Sequence, residues 1–119
     1  MIMKEFALIF RMSKAPEASP TPEQIQERTN WLAGIAAQNK LADKGNSLTA
    51  GNAKIVNGHN VVTDGPYTEI KEFISGYVIV KTATIDEAVE LAKANPIFKI
   101  GGSIEVREVV KLYNHDTDQ

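Results

Sequence analysis

Residues 73–95 read Phe-Ile-Ser-Gly-Tyr-Val-Ile-Val-Lys-Thr-Ala-Thr-Ile-Asp-Glu-Ala-Val-Glu-Leu-Ala-Lys-Ala-Asn, and the fold class can be predicted outward from them. The β-branched and aromatic residues within 73–82 predict a buried strand. Thr84 and Glu87 then have the spacing of a capping box, which predicts the start of a helix. The helix is expected to end before Asn95-Pro96, because a proline disfavours helical geometry in the residue that precedes it.

The N-terminal part of the chain predicts a second strand and a second helix. Residues 4–12 alternate, with large apolar side chains on one face and Arg11 on the other. A loop with two prolines follows. Thr21 and Gln24 then form another capping-box pattern around a proline and a glutamate. Apolar residues at helical spacing predict that this helix continues to about residue 39 or 40.

The remaining segments complete an α+β domain. Residues 53–56 and 60–63 predict two short strands joined at Asn57-Gly58, which is a hairpin signal. Residues 103–112 alternate as a final strand. The order is that of a ferredoxin-like β-α-β-β-α-β fold with an extra β-hairpin before the central strand, in which both helices cover one face of an antiparallel sheet.

The other face of the predicted sheet is expected to need a partner. Apolar residues occur on both sides of the strands, whereas the two helices can cover only one side. A second sheet from an identical chain is the simplest cover, so the pattern predicts a homodimer.

Length and composition limit the kinds of protein that the chain can be. The 119 residues make one domain, which we assign to residues 1–113, with a polar tail at 114–119. The formal net charge of −2 and the absence of a basic cluster argue against a nucleic-acid binder. There is no cysteine, which excludes thiolate chemistry. No segment resembles a signal peptide or a membrane span, so we expect a soluble cytoplasmic protein.

Three patches of sequence together resemble one known family. They read Val-Val-Thr-Asp-Gly-Pro-Tyr-Thr-Glu-Ile-Lys-Glu at 61–72, Ile-Ser-Gly-Tyr-Val-Ile-Val at 74–80 before Asp86-Glu87-Ala88, and Gly-Ser-Ile-Glu-Val-Arg at 102–107 after Asn95-Pro96. Their order and spacing resemble the YCII-related family, in the branch named for an Asp-Gly-Pro-Phe (DGPF) motif. Tyr67 stands here where that motif has phenylalanine.

The resemblance implies a dimeric α/β barrel in which two ferredoxin-like sheets face each other, with a cleft between helices and barrel in each subunit. The larger fold group contains oxygenases, isomerases, haem enzymes and ligand-sensing domains, so the fold does not select a function. YCII-like relatives have been proposed to act through a His-Asp pair. Some family members are fused to alternative sigma factors or encoded beside them, which implies a sigma factor as one candidate partner.

The chain departs from the proposed His-Asp chemistry. The histidine of YCII-like proteins lies on the first helix, and residues 21–40 contain none. The two histidines present, His59 in the hairpin and His115 in the tail, are poorly placed for an axial haem ligand and are expected to be an ordinary hairpin residue and a solvated residue. No histidine–carboxylate cluster has metal-ligand spacing. We therefore assign no cofactor and no metal.

One group of candidate site residues surrounds the Asp-Gly-Pro-Tyr turn. Asp64 is either an acid/base carboxylate at a cleft mouth or a turn residue that binds nearby amides. Lys71 and Glu72 either bind a small ligand with Asp64 or form an ion pair at a strand entry or dimer edge. Tyr67 is a candidate pocket residue, as is Trp31, although core packing explains both.

A second group is charged and lies on the first and last predicted strands, which in ferredoxin-like sheets are outer or inner neighbours within reach of the same cleft. Arg11 on the first strand and Glu105 and Arg107 on the last are expected to share a sheet face. Two arginines can hold a carboxylate or phosphate, and Glu105 can act as an acid or base. The alternative is a Glu–Arg network across a dimer interface.

The sequence therefore leaves three functions open. The first is binding, with or without chemical transformation, of a small polar or anionic metabolite in a cleft beside the dimeric barrel. The second is a non-catalytic regulatory module linked to sigma factors. The third is a dimer with a structural role only. Whether the chain is an enzyme stays open at this point.

Overall fold

The computed structural model of the chain describes residues 2–13, 19–59, 61–64 and 72–112. Its elements follow one another as β1 (Lys4–Met12), α1 (Pro22–Ala37), β2 (Leu41–Ser47), β3 (Lys54–Gly58), β4 (Val61–Asp64), β5 (Phe73–Thr82), α2 (Ile85–Lys93), a 3-10 helix (Pro96–Ile100) and β6 (Ser103–Glu108).

Four strands form one antiparallel sheet in the order β2-β5-β1-β6, and β3 and β4 form a separate two-stranded hairpin. This is the strand order of a ferredoxin-like α+β fold, and the hairpin is inserted before β5. The predicted fold class is therefore confirmed, including the extra hairpin.

The core lies between the helices and one face of the sheet. Phe6, Leu8 and Val80 of the central strands are 0–1% exposed, and they pack with Ile35 of α1 and Ala88 of α2. The alternation predicted for β1 explains this, because every second side chain of a strand points to the same face.

Three capping arrangements fix the ends of the helices. Thr21 and Gln24 form both bonds of the predicted capping box at the start of α1. Thr84 accepts a hydrogen bond from the Glu87 amide at the start of α2. Asn39, with φ of 58°, closes the other end of α1 in a left-handed conformation, which ends this helix two residues before the predicted boundary.

The opposite face of the sheet has no helix against it in the described residues. Ala7, Ile9 and Ile79 lie side by side on this face, because Ala7 pairs with Ile79 and Ile9 lies two residues further along β1. All three are partly exposed. We call this the open face.

Candidate functional site

The charged residues predicted on the first and last strands form one cluster on the open face. Arg11 donates from Nε and Nη2 to Oε1 of Glu105, at 2.9 and 2.7 Å. Arg107 donates from Nη1 to Oε2 of the same carboxylate at 2.8 Å. Glu105 and Arg11 are each about one-third exposed, with side-chain exposure of 31%. The sequence thus predicted which three residues come together, and the structure adds that Glu105 occupies both guanidinium groups.

The two arginines lower the pKa of Glu105. The hydrogen bond from Arg11 contributes most, followed by the hydrogen bond from Arg107, and desolvation by burial opposes them. The carboxylate is therefore charged at neutral pH and holds a proton poorly. The acid/base role of Glu105 and the ligand-binding roles of Arg11 and Arg107 stay predictions.

The residues around the Asp-Gly-Pro-Tyr turn are only partly described. Asp64 is the last residue of β4 and pairs with Lys54 across the hairpin. Glu72 is exposed directly before β5. His59 lies in the turn between the hairpin strands, as predicted. The other candidates fall outside the described residues: Tyr67, Lys71 and His115. A ligand-binding role for this group also stays a prediction.

A cavity of about 750 Å³ lies on the helix-covered side of the sheet. It extends between α1, the 3-10 helix and the adjacent ends of β1 and β5. Its wall combines apolar side chains with polar and charged ones, and it includes Phe10, Met12, Glu27, Arg28, Leu48, Phe73, Ser75, Asn95, Ile97 and Lys99. This volume is in the range that holds a small-molecule ligand.

A second cavity of about 310 Å³ adjoins the first near the C-terminal end of β2. Trp31, the chain's one tryptophan, is part of its wall. Its indole Nε1 donates to the backbone oxygen of Leu91 at 2.9 Å, and its ring meets Phe10 edge to face with centroids 6.0 Å apart. Trp31 therefore has both roles that the sequence left open, since it packs against the core and lines a cavity.

A family model described as the YCII-related domain matches residues 12–113, which is most of the chain. The chain belongs to the YCII-related family. An uncharacterised protein of Rhizobium meliloti (strain 1021) is 41% identical over 54 residues, which cover 42% of this chain and 41% of that protein. The chain therefore matches less than half the length of this curated relative.

The sequence of this YCII-related chain did not reveal three polar residues of the two cavities. Arg28 is a surface position of α1, and Lys44 lies on β2, which was not predicted as a strand. Asn95 was noticed only as part of the Asn-Pro helix terminator, which was the one available signal. No spacing rule joins these residues, because they lie on α1, on β2 and directly before the 3-10 helix and come together only in the folded chain.

Neither a metal site nor a membrane span is found in the described part of the YCII-related chain. Within it, no three histidine, aspartate or glutamate side chains converge where they could hold a metal ion. No helix of that part is long and apolar enough to cross a membrane.

Proposed function

We propose that this YCII-related chain binds a small polar or anionic metabolite in the cleft formed by the two adjoining cavities. The observation that carries the proposal is the 750 Å³ cavity itself, whose mixed wall combines an apolar surface with a few polar groups. Such walls are typical of metabolite sites, because the apolar part supplies affinity and the polar part fixes orientation.

The proposal includes a homodimer. The partly exposed apolar residues Ala7, Ile9 and Ile79 of the open face support it, because apolar sheet faces are usually covered. A second copy placed there would leave the cleft on the outer, helix-covered side of each subunit. The Asp-Gly-Pro sequence at 64–66 supports assignment to the DGPF branch, and a cytoplasmic site of action stays a prediction.

The proposal concerns binding rather than a particular reaction. A reaction would need a group that takes up or gives a proton, for which Asp64 and Glu105 are the sequence-based candidates. Glu105 lies on the open face and is not part of either cavity wall. A regulatory role with a sigma factor also stays a prediction from the family resemblance, and a structural dimer without ligand is the remaining alternative.

Native mass spectrometry of the purified protein tests the proposal, followed by denaturing release of bound molecules. We expect a dimer that retains a small molecule, either from the cell or after incubation with a metabolite extract. Ser47→Trp should abolish retention, because Ser47 lines both cavities and a large side chain there would fill the cleft. Ala33→Trp on the exposed surface of α1 is the matched control. Equal retention by wild type and Ser47→Trp would refute the proposal, as would the absence of any bound molecule.

A further inference from the structure

The two cavities form one cleft with two parts. Both are lined by the same four residues where they meet: Phe10, Arg28, Ser47 and Asn95. We call the 310 Å³ cavity the small part and the 750 Å³ cavity the large part. One ligand can therefore extend through both parts. The residues of each part then indicate the chemistry of the half of the ligand that it contacts.

The small part is positively charged. Arg28 and Lys44 line it, and no described residue of its wall is acidic. Neither cation has an ion pair or a side-chain hydrogen bond with any residue that the structure describes. The large part differs, because its Lys99 forms an ion pair with Glu27. Of the two unpaired cations, Lys44 lines only the small part and Arg28 lies at the junction, so the charge that is available to a ligand is found in the small part and at its entrance.

Asn95 adds a buried hydrogen-bond donor between the two parts. The residue is 8% exposed, and its Oδ1 accepts the backbone N–H of Ile97 at 2.8 Å. This bond fixes the orientation of the side-chain amide, so that Nδ2 is left as a donor. Nδ2 has no acceptor among the residues in the described ranges. A buried donor normally finds a partner, and an acceptor atom of a ligand in the cleft can supply one.

The large part offers an apolar surface. Met12, Leu48, Phe73 and Ile97 contribute to its wall, beside Phe10 at the junction. A wholly polar ligand would leave this surface exposed to water, whereas a ligand with an apolar body would bury it.

We propose that the ligand is an organic anion with an apolar body. Its carboxylate or phosphate group occupies the small part, where Arg28 and Lys44 neutralise it and Nδ2 of Asn95 donates to it. Its apolar body lies in the large part. This inference rests on the proposed function and defines the ligand class of the same cleft.

Calorimetric titration of the full chain with four probes tests the ligand class. Phenylacetate and phenyl phosphate carry the two anionic groups on an apolar body. Phenylacetamide is the neutral counterpart, and acetate lacks the apolar body. We expect one of the aromatic anions to bind at least about tenfold more tightly than phenylacetamide and acetate, and the better of the two identifies the anionic group. Equal binding of phenylacetamide, or no binding of either aromatic anion, would overturn the inference.

Three substitutions test the residues with the better aromatic anion. Arg28→Gln and Lys44→Gln should each weaken binding about tenfold, because each removes an unpaired cation. Asn95→Asp should abolish binding, because it keeps the acceptor for Ile97 and replaces the free donor with a negative charge. Lys99→Gln is the control, because Lys99 is already paired with Glu27. Thermal melting of each variant confirms that it is folded.

Wild-type affinity in both Arg28→Gln and Lys44→Gln would overturn the inference. It would not refute the proposed function, which fails only if the cleft holds no small molecule at all. A neutral ligand recovered from the purified protein would likewise overturn the ligand class and leave binding in the cleft intact.

Discussion

Glu105 shows how a residue can be grouped correctly from sequence while its role stays open. Its two-residue spacing from Arg107 on an alternating strand placed both side chains on one face, and β1 adds Arg11 in the same region. What the alternation could not show is that one carboxylate takes hydrogen bonds from both arginines. That depends on side-chain conformations, which the strand period does not determine.

Glu105→Gln should lower stability at neutral pH and change its pH dependence. The pKa of Glu105 is lower in the folded chain than in the unfolded chain. The contribution of Glu105 to the stability of the fold is therefore complete above its pKa in the unfolded chain, about 4.3. This contribution is lost as the pH falls through its pKa in the folded chain. We expect the melting temperatures of wild type and Glu105→Gln to differ near pH 7 and to converge in acid.

Glu108→Gln is the control for that comparison. Glu108 is an exposed glutamate on the same strand, and it has no ion pair with any residue in the described ranges. Its melting temperature should follow that of wild type across the pH range. If the difference in melting temperature between wild type and Glu105→Gln stayed constant down to strongly acidic pH, it would contradict the lowered pKa of Glu105.

Among the elements, β2 was the strand that the sequence did not predict. Leu-Ala-Asp-Lys-Gly-Asn-Ser has few residues that favour strands, and its burial does not alternate. It is an edge strand whose pairing with β5 is interrupted by two register shifts. Tertiary pairing therefore decides its structure, and with it the position of Lys44 in the cleft wall.

The last strand is shorter than its alternation predicted. The strand was predicted to continue through residues 109–112, but β6 ends at Glu108. The reason is the length of its neighbour, because β1 begins at Lys4 and Phe6 already pairs with Glu108. The Val109 amide still donates to the backbone oxygen of Glu5. Too few residues of β1 remain beyond Glu5 to pair with the rest of 109–112.

Gly45→Ala should strongly destabilise the chain. Gly45 has φ of +65°, and a Cβ there would lie 1.7 Å from the backbone oxygen of Tyr77 on β5. The left-handed conformation alone costs roughly 1–2 kcal/mol for a residue with a side chain, and the overlap adds to it, so we expect a loss of at least about 2 kcal/mol. Urea unfolding measures this difference in the free energy of unfolding.

Gly34→Ala is the matched control. Gly34 lies within α1, and a Cβ there would meet nothing within 4 Å. Because alanine favours a helix over glycine, the variant should gain up to about 1 kcal/mol of stability. If Gly45→Ala were as stable as wild type, the pairing of β2 with β5 would be wrong.

For the whole molecule, the open face predicts self-association. Ile9→Arg places a charge among the partly exposed apolar residues of that face and should convert a dimer into a monomer in sedimentation velocity. Ile25→Glu on the exposed surface of α1 is the control, and it should remain a dimer. A wild-type chain that sediments as a monomer would contradict the predicted dimer.

The overall architecture was predictable because it follows from local patterns that agree with one another. Threonine caps set both helix starts, and strand alternation grouped the apolar residues of β1 that form the core. The cleft was not predictable in the same way. It is made of residues from α1, β2 and the 3-10 helix, and their proximity depends on a strand with weak sequence signals.

The most direct test of the account is to locate the bound ligand by NMR on the isotope-labelled protein. We predict that the better aromatic anion shifts the indole N–H of Trp31 and the side-chain amide of Asn95, which line the cleft. The Nε–H signals of Arg11 and Arg107 on the open face should not change. Shifts at the two arginines without shifts at Trp31 and Asn95 would contradict the account and place the ligand at the cluster on the open face.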